Sequence, residues 1–201
     1  MCIELSNKIA LGKNNENISD FMPYVNQIRS DDVKTFVTAW LKCMPKYIFH
    51  APASSSGKYH PMSELGEGGL KRHLLNVTEI TVMLCEMYDI QNNEKDCVIA
   101  AAMLHDMLKS GWQGDYDKNK HTDFNHPRLA AEAIMLTTKP FIPEKKRRLI
   151  ADCIITHMGR WNKDKYADNP DLPMPETKLQ WLVHTADFIA SRKNINIIRE
   201  D

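Results

Sequence analysis

Residues able to do chemistry recur through this chain in the order His73, the adjacent pair His105-Asp106, His126, His157 and Asp187. Most of these groups are separated by stretches long enough for a helix and a turn. A single histidine on an apolar helix face is more often a satisfied core residue than a ligand, so the positions have to be weighed as a set. At 100° per residue on a helical wheel, His73 falls within about 40° of Val77, Ile80 and Leu84 and points into the core with them. His105 is placed in the same way near Val98 and Ala101, and His157 near Ile150 and Cys153. Burying a neutral polar group without a partner costs roughly 2–7 kcal/mol, and a charge costs more. One metal centre would satisfy all of these side chains together.

Nitrogen and oxygen ligands without thiolates suit iron, manganese, zinc or magnesium, and four histidines with two aspartates lean to a borderline transition metal. Neighbours on a helix diverge by about 100°, and a short aspartate can offer its two oxygens to two ions, which makes Asp106 the candidate bridge. With His73, His105 and Asp187 on one ion and His126 and His157 on the other, the ligand count closes for two divalent ions with positions left for water.

The positioning elements follow from the apolar pattern. The first 28 residues are polar with a broken pattern and read as an arm around a short helix. Ser30-Asp31-Asp32 then starts a helix to about Cys43, with Val33, Phe36, Val37, Trp40 and Leu41 on its apolar face. Residues 48–68, with two prolines, four serines and three glycines, form a loop able to line a site. Helices are predicted over 69–88, carrying His73, and over 94–108, carrying His105-Asp106; Cys97 to Leu104 is apolar on every side, so the second is central and buried. The pattern fails over 110–125, where two glycines and five charged residues read as a rim or lid, a plain solvated connection being favoured over a substrate clamp. Pro127 suits the first turn of a helix to Leu136. Pro143-Glu144 opens another to His157, and the last runs over 177–192, bringing His184 and Asp187 to one face.

The pieces Gly69-Leu70-Lys71-Arg72-His73, Leu104-His105-Asp106-Met107-Leu108-Lys109, His126-Pro127, Thr156-His157 and His184-Thr185-Ala186-Asp187 resemble the HD-domain superfamily of metal-dependent phosphohydrolases, whose pattern is H…HD…H…H…D. The resemblance implies an all-α helical bundle over residues 48–193, with 1–47 as an arm and helix packed on it and 194–201 as a tail. It implies that His73, His105, Asp106 and Asp187 hold a first metal, that His126 and His157 complete a second, and that Lys109 stands where the family has its HDxxK lysine. A looser similarity links Ala51-Pro52-Ala53, Tyr59-His60-Pro61 and Gly68-Gly69-Leu70 to the entry segment of HD domains in bacterial 3′-to-5′ exoribonucleases and phage-encoded HD proteins.

At 201 residues the chain is ordinary for one helical enzyme domain. Lys+Arg and Asp+Glu both number 26, so no global field draws in nucleic acid or a membrane. The run Lys145-Lys146-Arg147-Arg148 covers all sides of one helical turn and reads as a solvated face before it reads as a nucleic-acid contact. Cys2, Cys43, Cys85, Cys97 and Cys153 are odd in number and lack CxxC spacing, which favours reduced core thiols. With no run of 18 apolar residues, a cytoplasmic location is expected.

The expected activity is hydrolysis of a small phosphoester, a nucleotide by preference, with Asp106 and Lys109 as the catalytic residues. Lys58, His60, Arg72, Arg160, His184 and Arg192 are candidates for substrate contact; His184 has the alternative of supporting Asp187, and Trp161 reads as a packing aromatic. A 3′-to-5′ exonuclease, a di-iron oxygenase of the same fold and a regulatory protein with structural metals are the competing readings.

Overall fold

The computed structural model describes residues 3–5, 10–11, 13–54, 57–112, 122–165, 168–195 and 197. In chain order they form β1 (Ile3–Leu5), β2 (Ala10–Leu11), α1 (Met22–Val25), α2 (Asp31–Leu41), α3 (Gly69–Met87), α4 (Asn92–Leu104), α5 (His126–Leu136), β3 (Thr137–Lys139), α6 (Glu144–Ile155) and α7 (Lys178–Ala190), with short 3-10 turns between some of them. The fold is all-α around α4. Every residue from Asp96 to Leu104 is buried, so that helix needs neighbours on all sides, and α2, α3, α6 and α7 supply them. Outside this core α3 packs on α7, and α5 packs on α6.

The helix ends depart from the sequence expectation in one consistent way. The helix read as 94–108 stops at Leu104 and leaves His105 at its C-cap. His105 Nδ1 donates to the Ala102 carbonyl at 2.9 Å, taking an acceptor of the last turn. Tight i→i−3 bonds from Met107 to Leu104, Lys109 to Asp106 and Gly111 to Leu108 then close the following turns. Similarly, α6 ends at Ile155 rather than at His157, and His157 Nδ1 donates to the Ile154 carbonyl at 2.8 Å. The chemical residues therefore stand just beyond helix ends, where a ring rather than an amide satisfies the backbone. At the start of α7, Thr177 and Gln180 form a reciprocal capping box that fixes the entry of the helix carrying Asp187.

The N-terminal segment is more than an arm around a helix. Antiparallel to β2 and β3, β1 pairs Ile3 with Leu11 and Leu5 with Thr137, and Ile3 and Leu5 are buried. The basic run is also not a free cationic face. Lys146 Nζ lies 2.9 Å from Asp32 Oδ1, Arg147 donates to the Thr137 carbonyl, and Arg148 pairs with Glu144 one turn earlier. The Lys146 and Arg147 contacts dock α6 against the start of α2 and the edge of β3, while Lys145 and Arg148 stay exposed. Cys43, Cys85, Cys97 and Cys153 are free and buried, and burial pushes the Cys97 thiol up to about 12, as suits an unreactive core residue. Among the described residues no helix is long and apolar enough to cross a membrane.

Candidate metal centre

Five elements converge on one buried cluster. His73 comes from α3, His105 and Asp106 from the turn after α4, His126 from the first residue of α5, His157 from beyond α6, and Asp187 from α7. All four histidines are oriented through Nδ1. His105 and His157 donate to Ala102 and Ile154 as described, His126 Nδ1 donates to the Asp123 carbonyl, and His73 Nδ1 donates to Glu64 Oε2 at 3.1 Å. A carbonyl can only accept, so in three of the rings Nδ1 carries the proton and Nε2 presents its lone pair inward.

The inward atoms fall into two overlapping groups around Asp106, with His157 lying close to His105 and Asp187 as well as to Asp106. Its Oδ2 lies 3.5 Å from His105 Nε2 and 3.9 Å from His73 Nε2. Its Oδ1 lies 3.0 Å from His126 Nε2 and 3.7 Å from His157 Nε2. Asp187 Oδ1 joins the first group, 3.1 Å from His73 Nε2 and 3.9 Å from His105 Nε2. His73 Nε2, His105 Nε2 and Asp106 Oδ1 are buried without a hydrogen-bond partner. An unsatisfied buried polar atom costs about 1–3 kcal/mol, and here several acceptors face one another at close range. A cation among them turns that cost into ligation, so the donor set fits divalent metal.

The electrostatics agree. Burial works against ionisation of Asp106, yet Lys109 and His105 hold its carboxyl well below the usual carboxylate range. For Asp187 burial is likewise outweighed, with His73 and His105 keeping it ionised. Burial, with His105 adding to it, pushes His157 down to about 3, so this ring stays neutral, as a ligand must. His73 behaves differently. Burial alone would lower it, but Glu64 and Asp187 on either side of the ring raise it to about 10.

A cavity of about 290 Å³ opens onto the cluster. Of the residues expected to touch substrate, His60, Lys109 and Arg192 line it together with Tyr59, Trp161 and Phe188. Lys109 Nζ is hydrogen-bonded to Asp106 Oδ2 while remaining on the cavity wall. Arg192 is caged by rings, its guanidinium 4.4 Å from the Phe188 centroid, 5.4 Å from Tyr59 and 5.8 Å from Trp161. The other candidates are not brought to the wall. Lys58 sits over the Tyr59 ring, Arg160 lies over Trp161, and Arg72 donates to the carbonyls of Ser63 and Glu67. The expected rim or lid of 110–125 falls mostly outside the described residues.

His184 supports the centre from beneath, through His157 rather than through Asp187. Its Nδ1 donates to the His157 carbonyl at 2.7 Å, and its ring closes against Gly159, where a Cβ would lie 2.2 Å from His184 Cε1. Gly159 also has φ +52°, a left-handed conformation that side chains resist. Gly159→Ala is therefore expected to destabilise the fold by about 1–3 kcal/mol, read as a melting temperature lower by roughly 2–4 °C per kcal/mol. A calorimetric scan indistinguishable from wild type would show that this contact does not hold His157. Glu64, fully buried beside His73, was not identified from the sequence. The only sequence signal for it is its place nine residues before His73 in a loop already expected to line a site.

A helical bundle whose central helix ends in a buried histidine–aspartate cluster has the donor set of a metal-binding protein. The HD domain family model matches residues 70–191, more than half of the chain, and the chain belongs to that family, a superfamily of metal-dependent hydrolases. No curated protein and no solved structure matches it.

Proposed function

We propose that the protein is a phosphohydrolase that uses two divalent ions to cleave a phosphoester of a nucleotide or a related small molecule. The observation that carries this reading is the division of Asp106, whose two oxygens face separate histidine pairs on the floor of a cavity with Lys109 and Arg192 on its wall. In this reading His73, His105, Asp106 and Asp187 hold one ion, and Asp106, His126 and His157 hold the other. Bound there, such ions supply Lewis acidity toward a phosphoryl oxygen and acidify a coordinated water. Lys109 adds a fixed positive charge where negative charge develops on the phosphoryl group, and its bond to Asp106 keeps that charge in place. Arg192, held between three rings, binds a second anionic group of the substrate, and the exposed faces of Tyr59 and Trp161 suit a planar base. Lys146 and Arg147 of the basic run on α6 are engaged within the fold, which leaves only Lys145 and Arg148 exposed and favours a small substrate over a polynucleotide.

The test is a phosphate-release screen of metal-loaded protein across nucleotides, sugar phosphates, cyclic dinucleotides and short oligonucleotides, repeated without oxygen. Release from a mononucleotide under both conditions is expected. If no phosphoester is cleaved while the iron-loaded protein consumes dioxygen with an organic substrate, the same ligands serve oxidation. Lys109→Ala is expected to lower turnover at least about tenfold, each factor of ten being roughly 1.4 kcal/mol, with its metal retained. Wild-type turnover in that variant would remove Lys109 from the mechanism.

A further inference from the structure

Glu64 is 0% exposed, and among the described residues no lysine or arginine pairs with it. A carboxylate so placed needs donors on both oxygens. Its Oε1 accepts from Asn76 Nδ2 at 2.6 Å. Its Oε2 accepts from the Nδ1 of two rings, His60 at 2.7 Å and His73 at 3.1 Å. His73 turns its other nitrogen to the metal cluster, and His60 lines the cavity.

The backbone around Glu64 is fixed at that spot. The 3-10 turn Met62–Glu64 crosses the first turn of α3 so closely that a Cβ on Gly69 would lie 2.0 Å from the Glu64 carbonyl oxygen. That oxygen accepts from Ala53 N at 2.9 Å, and Arg72 ties down the carbonyls of Ser63 and Glu67 on either side. Bracing this turn keeps Arg72 away from the cavity.

We propose that Glu64 is the positioning residue of the metal centre: by accepting the Nδ1 proton of His73 it selects Nε2 as the atom given to metal. The proposal rests on His73 being a ligand and is independent of the reaction catalysed. His60, Glu64 and His73 also have the make-up of a small metal site of their own. Their atoms already satisfy one another by hydrogen bonds, unlike the orphaned atoms on the cluster side, so a third ion is not required.

Glu64→Gln separates these readings. The amide keeps the shape and the bond from Asn76 but presents a donor to His73 Nδ1, which moves the ring proton to Nε2, the atom facing the metal. Zinc affinity of the full chain, measured by chelator competition, is expected to fall about 10–100-fold with helix content by circular dichroism unchanged. Two-bond ¹H–¹⁵N spectra should show His73 protonated on Nδ1 in zinc-loaded wild type and on Nε2 in the variant. His60→Ala leaves Glu64 to His73 alone and should retain zinc at least as tightly as wild type. A folded Glu64→Gln with wild-type zinc affinity overturns the proposal, and so does a loss in His60→Ala equal to that in Glu64→Gln, which would mark the trio as a site itself. Should Glu64→Gln not fold, Asn76→Ala, which removes the donor to Oε1, is expected to weaken zinc binding, and unchanged affinity there is equally fatal. His73→Ala serves as the control: full zinc binding in it overturns the ligand assignment and this proposal together, whatever the phosphate screen shows.

Discussion

Asp106→Ala is expected to abolish turnover, by at least about a hundredfold, and to lower metal content more than any other single substitution in the cluster. The other five cluster side chains surround Asp106, with His157 also near His105 and Asp187. His73, His105 and Asp187 group around Oδ2, and His126 and His157 around Oδ1. Removing the carboxylate therefore withdraws an oxygen from both groups at once. It also strands the Lys109 ammonium, which is only 13% exposed and has Asp106 as its ion-pair partner. Metal analysis of the purified variant, with its fold checked by circular dichroism, decides the matter. Full occupancy would show that Asp106 is not shared between two ions.

The cluster was legible because its members obey a strong local rule. His73 shares a helical face with Val77, Ile80 and Leu84, and an uninterrupted apolar run before His105 can only be a central helix, so both had to point inward at the core. Three features escaped for physical reasons. The ends of α4 and α6 were set too late, because helical periodicity does not reveal that the His105 and His157 rings compete for the last carbonyls. Pairing of β1 with β3 joins segments of three residues each from opposite parts of the chain, too short for any alternation to register. Glu64 sits in an irregular loop, where no periodic pattern assigns a face. Only its distance to His73 shows that it belongs to the centre.

Lys145 and Arg148 are exposed, as a solvated face requires. Charge type says less about Lys146, Arg147 and Arg72, because a cation's partner is set by tertiary contact. Lys146 meets Asp32, Arg147 meets the Thr137 carbonyl, and Arg72 braces the turn that holds Glu64. Arg192, of the same type, is instead caged by three rings on the cavity wall. Sequence separates these cases poorly, since the aromatic residues that cage Arg192 come from three separate segments.

His126→Ala and His157→Ala are each expected to reduce bound metal from about two ions towards about one, with turnover lost. The two rings meet Nε2 to Nε2 at 3.3 Å, and both Nδ1 protons are committed to carbonyls, so two lone pairs face each other beside Asp106 Oδ1. That arrangement is repulsive without a cation. His73 and His105 do not depend on either ring for orientation, since His73 is held by Glu64 and His105 by Ala102. The ion they are proposed to hold should accordingly survive, and the variants should retain their fold, because alanine also removes the repulsion. Metal-to-protein ratios by elemental analysis, taken after dialysis against metal-free buffer, give the answer. Wild-type stoichiometry in both variants would make these histidines core residues and the site mononuclear; loss of all metal in either would mean the two halves of the cluster bind as one unit.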